Sequence, residues 1–180
     1  MSLDKQTIAT RYAKALFELV KENNTLDQTY QELISLRQIF EDNAGLESAL
    51  AGVQLSLDEK KSLISELKKD FSPLVQNLIQ MTFDYGRINC LVAIVDEFEH
   101  RYDADQKRLH ADVVTAIQLD KQQQDQLKAN LATRFQANEV VLHAKVDPEI
   151  LGGVIVHADH KTLDGSLSSK IKQIRRLLVR

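Results

Sequence analysis

The sequence predicts an α+β fold: an N-terminal six-helix bundle over residues 1–105, followed by a small β-α-β-β-α domain over residues 106–180. Three observations carry this. Through the first hundred positions apolar residues recur at intervals of three and four, the period of a helix with one buried face. After residue 106 the period drops to two, as in a half-buried strand. The charge changes at the same place. Residues 1–105 hold 11 Lys and Arg against 18 Asp and Glu, a net of −7, whereas residues 106–180 hold 12 against 8, a net of +4. Six Gly and two Pro allow only short connections, so the junction falls near Ala104-Asp105-Gln106-Lys107.

Each helix of the bundle has a local start signal. The first covers roughly residues 4–22. A second opens at Thr25, with Gln28 completing a capping box, and runs through Tyr30, Leu33, Ile34 and Ile39 to Phe40. A short third lies between Gly45 and Gly52. Ser56 and Glu59 form another capping box ahead of a fourth, through Leu63, Ile64 and Leu67. Ser72-Pro73 sets a cap and then Pro at the first helical position of a fifth, which reaches Tyr85 and ends at Gly86. Asn89 is placed to cap a sixth carrying Leu91, Val92, Val95 and Phe98.

The first and fifth helices are apolar over roughly 200° of their circumference at about 100° per residue, whereas a helix at a bundle surface needs only about 100°. Two explanations stand: both helices sit centrally with neighbours on two sides, or each spends half its arc on a groove for a partner helix. In the second case Leu16, Phe17 and Val20 suit the core. The groove edge is then Ile8, Tyr12, Ala15 and Leu19 with Leu74, Asn77, Leu78, Met81 and Tyr85, a mix of small, amphipathic and adaptable side chains.

In the second domain, Leu109, Ala111, Val113, Thr115 and Ile117 form the buried side of a strand. Asp120 caps a helix through Leu127, Leu131 and Phe135. A second strand covers Val140–Val146 and a third Val154–His157, after Pro148 and Gly152-Gly153. Asp164-Gly165 makes a tight turn, and Ser166 or Ser168 caps a last helix expected to bury Leu167, Ile171, Ile174 and Leu178.

Composition and motifs exclude several functions. The longest strictly apolar run, Leu91–Val95, is far short of the about 20 residues of a membrane span. The start Met1-Ser2-Leu3-Asp4 has neither signal nor transit character, so a cytoplasmic chain is expected. One cysteine, Cys90, permits no internal disulfide and reads as a small buried apolar residue. Gly152-Gly153 lacks dinucleotide-turn spacing, and no phosphate-binding loop is present. His157-x-Asp159-His160 at a strand end reads as a solvated turn, so no metal and no cofactor are expected. Asp96, Glu97 and Glu99 read as the wet face of the sixth helix. No enzyme is expected from the chain alone. The last helix carries Lys170, Lys172, Arg175, Arg176 and Arg180. A basic C-terminus suits the helix dipole in any protein; it also fits an acidic protein partner or nucleic acid. The basic residues surround the apolar stripe, and no aromatic residue follows Phe135 to stack bases.

Two segments carry a resemblance. Arg11-Tyr12-Ala13-Lys14-Ala15-Leu16-Phe17 resembles the opening helix of the delta subunit family of bacterial F-type ATP synthases, the counterpart of the mitochondrial oligomycin sensitivity-conferring protein. Leu151-Gly152-Gly153-Val154-Ile155-Val156, with Leu163-Asp164-Gly165-Ser166 and a helix after it, resembles that family's C-terminal signature. Asn77-Leu78-Ile79 leading to Gly86-Arg87-Ile88 is similar to its passage between the fifth and sixth helices. His157-Ala158-Asp159-His160 departs from the family's shorter polar turn. The resemblance implies a stator subunit without catalysis of its own. Its bundle would hold the N-terminal helix of an alpha subunit between the first and fifth helices. Its second domain would meet the C-terminal end of the b-subunit stalk, with Lys170, Lys172, Arg175 and Arg176 as stalk-side candidates. The implied place is the cytoplasmic face of the bacterial membrane, peripheral, within the whole ATP synthase complex. The alternative from a different class is a regulator binding nucleic acid through the basic C-terminal module.

Overall fold

The structure, a computed structural model, describes residues 4–158 and 161–178. The chain forms two compact units that divide between Tyr102 and Asp103. The first holds α1 (Lys5–Glu22), α2 (Leu26–Asp42), α3 (Leu46–Ala51), α4 (Leu57–Lys68), α5 (Pro73–Asp84) and most of α6 (Leu91–Gln106). The six α-helices stand where the periodicity puts them. A single 3-10 turn, Ile88–Cys90, is added before α6, so Asn89 lies within that turn and does not cap the helix. Ser56 and Glu59 do form the reciprocal capping box of α4. Thr25 precedes α2, but its side chain makes no capping hydrogen bond. The core is built from one stripe of each helix: Ala9, Ala13 and Val20 of α1, Leu33 and Leu36 of α2, Leu50 of α3, Ile64 of α4, Val75 and Ile79 of α5, and Ile94 and Phe98 of α6. Thr82, fully buried among them, donates its hydroxyl to the Ile79 carbonyl at 2.9 Å, so no polar atom is left unsatisfied there.

The acidic residues of α6 are not simply a wet face. Arg37 of α2 reaches Glu99 at 2.5 Å and Asp96 at 3.2 Å, and the Tyr30 hydroxyl donates to Glu99 at 3.2 Å. Glu97 pairs with Arg101 at 3.0 Å. Burial opposes the Arg37 charge, but the hydrogen bonds to Glu99 and Asp96 outweigh it and hold the guanidinium above its ordinary value.

The second unit has one strand more than expected: β1 (Arg108–Thr115), α7 (Lys121–Phe135), β2 (Glu139–Val146), β3 (Val154–Ala158), β4 (Lys161–Asp164) and α8 (Leu167–Leu178). The order is therefore β-α-β-β-β-α, and the sheet runs β2-β1-β3-β4. β1 and β2 are parallel, as a crossover through α7 requires, and the other pairs are antiparallel. The core lies on one sheet face, where Ala111, Val113, Val140 and Val156 meet Leu131, with Leu127 and Phe135 of α7 packed against them. Asp120 and Gln123 form a second capping box. Ile117 lies beyond the end of β1 and is 70% exposed, so the predicted strand is too long by one buried position.

Helix α8 departs most from expectation. Leu167, Ile171 and Ile174 are 48–57% exposed, so the stripe predicted to be core is uncovered in this chain. The side chain of Leu178, and Arg180 altogether, lie outside the described residues. Ser166 is the residue that caps α8: its hydroxyl accepts the Ser169 amide at 3.2 Å. The Leu-Gly-Gly-Val and Leu-Asp-Gly-Ser segments meet in space. The Gly165 amide donates to the Val154 carbonyl and the Leu167 amide to the Gly152 carbonyl, both at 2.9 Å.

Candidate functional site

The bundle carries an open groove of about 670 Å³ between α1 and α5. It is lined by Arg11, Tyr12, Ala15, Leu16 and Leu19 of α1, and by Pro73, Leu74, Asn77, Leu78 and Met81 of α5. Of the nine positions read from the sequence, Tyr12, Ala15, Leu19, Leu74, Asn77, Leu78 and Met81 come together here. Ile8 does not; it is buried in the core at 8% exposure. Tyr85 is 66% exposed just past the end of α5, where it packs near Arg87. Arg11, Leu16 and Pro73 complete the lining. Leu16 serves core and groove together, being 7% exposed and yet part of the floor.

The two wide apolar arcs are thus accounted for within this unit: each helix turns one edge inward and leaves the other uncovered. Ala15 keeps the space between the helices open, while Leu19 and Met81, both nearly half exposed, form the apolar rim. Arg87, which periodicity does not single out, fixes one end. Its guanidinium donates to the Tyr12 hydroxyl at 3.2 Å and lies 5.9 Å from the Tyr12 ring and 5.8 Å from that of Tyr85. The polar side chains of the lining, Arg11, Tyr12 and Asn77, include no carboxylate, imidazole or thiol. Such a lining is suited to apolar contact.

Other sequence candidates are dispersed. Cys90 is buried in the bundle core, and burial pushes its thiol above the ordinary range, away from thiolate reactivity. His157 lies on β3, its Nδ1 2.9 Å from the Thr162 hydroxyl; Asp159 and His160 lie outside the described residues. Lys170, Lys172, Arg175 and Arg176 are all exposed on α8, flanking the uncovered Leu167, Ile171 and Ile174.

Comparison with known proteins agrees along the whole chain. The profile of the family described as ATP synthase delta (OSCP) subunit matches residues 8–178. An ATP synthase subunit delta of Limosilactobacillus reuteri is 78% identical, with all of both chains covered. Those of Pediococcus pentosaceus and Enterococcus hirae are 48% and 38% identical, over 99% and 100% of each chain. A chain in the mitochondrial ATP synthase hexamer of Toxoplasma gondii superposes with a TM-score of 0.70 at 21% identity, covering 96% of this chain and 97% of that one, which shows the same fold. Matched from residue 8 to residue 178 and end to end by relatives of up to 78% identity, the chain belongs to the ATP synthase delta (OSCP) subunit family.

Proposed function

We propose that this chain is the non-catalytic stator subunit of an F-type ATP synthase, joining the catalytic head to the peripheral stalk so that proton-driven rotation is coupled to ATP synthesis. The α1/α5 groove carries the reading: it is long, apolar and free of catalytic groups, and it fits an amphipathic helix. The occupant is the N-terminal helix of an alpha subunit. The lining on α1 runs from Arg11 to Leu19, about two and a half turns, so a partner helix of about 20 residues more than spans it. A stator contact must bear torque without slipping, and a buried apolar helix-in-groove contact meets that demand through slow dissociation.

The stalk side is α8 of the second unit. Its exposed Leu167, Ile171 and Ile174 offer an apolar seam for the C-terminal end of the b subunit. Lys170, Lys172, Arg175 and Arg176 flank that seam and favour an acidic partner. The seam also weighs against the nucleic-acid alternative, since it interrupts the basic surface where a phosphate backbone would lie. Among the described residues no helix is long and apolar enough to cross a membrane, so attachment to the cytoplasmic face of the membrane is through the complex.

Calorimetry of the full chain against a peptide of about 20 residues from the alpha-subunit N-terminus tests the groove. Saturable 1:1 binding with a negative heat-capacity change is expected. Met81→Asp, which sets a charge on an exposed rim position, weakens it about a hundredfold while the bundle stays folded. No binding by the folded wild-type chain removes the groove assignment.

A further inference from the structure

We propose that His110 and His143, on neighbouring strands of the second unit, form a binding site for a divalent transition-metal ion of the zinc class, with Asp103 positioning His110. The three residues lie in a row, joined by an ion-pair contact and a ring-to-ring hydrogen bond. His110 Nε2 lies 3.0 Å from Asp103 Oδ2, and His110 Nδ1 lies 3.2 Å from His143 Nε2. Asp103, in the last turn of α6, is 9% exposed, whereas both histidines are exposed on the sheet face opposite the core. With a proton on Nε2 turned to this carboxylate, the Nδ1 lone pair of the His110 ring is the one directed at His143. A carboxylate on the far nitrogen is the arrangement that orients and strengthens a metal-ligating imidazole.

The spacing fits one ion shared by the two rings. Ligand nitrogens about 2.0–2.1 Å from a metal are about 3 Å apart at a right angle and about 3.4 Å apart at a tetrahedral angle. The observed separation lies between these values. The rings are nearly parallel, 12° apart, with centroids 5.5 Å apart, so each turns about its broad terminal torsion for the lone pairs to converge. In the metal-bound arrangement His143 holds its proton on Nδ1, leaving Nε2 to the ion. Water fills the remaining positions. Asp112 is the register partner of His143 and lies on the same face. Imidazole nitrogen selects zinc, nickel or copper over magnesium, which demands oxygen ligands. Such an ion ties the edge strand β2 to β1.

Titration of the tag-free full chain with Zn²⁺, followed by calorimetry and by the imidazole nitrogen signals of His110 and His143, tests this. One equivalent is expected to bind and to raise the melting temperature. His110→Ala and His143→Ala each remove the binding and the thermal shift, His157→Ala keeps both, and excess Mg²⁺ does not compete. Asp103→Asn weakens binding about 10–100-fold and changes the His110 tautomer signal in the metal-free chain, which loss of packing alone would not do. Absence of saturable Zn²⁺ binding by the folded wild type, or binding that survives either histidine substitution, overturns the proposal.

Discussion

Gly153 shows what the C-terminal signature does at the scale of single residues. Its φ is +79°, and a Cβ there would stand 2.3 Å from the backbone oxygen of Gly165. The Gly-Gly and Asp-Gly-Ser segments are recognisable in sequence because two stretches of backbone cross too closely for any side chain. Gly153→Ala is expected to cost about 1–3 kcal/mol from the backbone conformation alone, with the clash adding to it. Denaturant unfolding of the chain measures this. Asp164 in the same crossing accepts the Ser169 hydroxyl at 2.6 Å and the Ser166 amide at 2.9 Å. These bonds hold its carboxyl at about 2, below the ordinary 3.8. A folded-state value below the unfolded one means the unfolded chain binds the proton first, so the stabilisation is complete above about pH 4 and is lost as pH falls toward 2. A carboxyl NMR titration should place Asp164 at the low end, and Ser169→Ala should move it upward.

Among the elements, local signals were legible and long-range cover was not. Ser56-Leu57-Asp58-Glu59 announces α4 because the capping groups are three residues apart and complete the box by themselves. Thr25 looks similar in sequence, yet its hydroxyl makes no capping bond, which periodicity alone does not reveal. Ser56→Ala is therefore expected to cost about 1 kcal/mol, and Thr25→Ala far less, in matched thermal melts. β4 escapes notice because four residues with Leu163 as their sole apolar member show no alternation. Arg108, His110 and Asp112 face away from the core, but nothing in the sequence pairs His110 with a histidine 33 positions later; only the parallel register of β1 and β2 does. For α8 the spacing of Leu167, Ile171 and Ile174 correctly marks an amphipathic helix, but a stripe does not say what covers it. Ile171→Ala in the free chain should change stability by no more than about 0.5 kcal/mol, against about 2–5 kcal/mol for a core isoleucine such as Ile79. A core-sized loss for Ile171 would mean that the seam is covered within the chain.

At the scale of the whole molecule, the chain divides its labour between an acidic unit with an apolar groove and a basic unit with an apolar seam. On the stator reading proposed above, its effect on ATP chemistry is mechanical. A stator fails in a distinctive way. If the groove contact slips, the catalytic head is free to turn with the rotor, and ATP is still hydrolysed because the active sites are elsewhere. Rotation relative to the membrane sector is then lost, and proton transport with it. Membranes carrying the Met81→Asp chain in the assembled complex are thus expected to retain ATP hydrolysis while ATP-driven proton pumping, followed by quenching of a pH-sensitive dye, falls in proportion to lost occupancy of the groove. The exposed Glu18→Gln, on α1 but outside the groove lining, should leave both activities intact. Equal loss of hydrolysis and pumping in Met81→Asp would contradict a purely mechanical role. Unchanged pumping despite weakened peptide binding would move the torque-bearing contact away from α1 and α5.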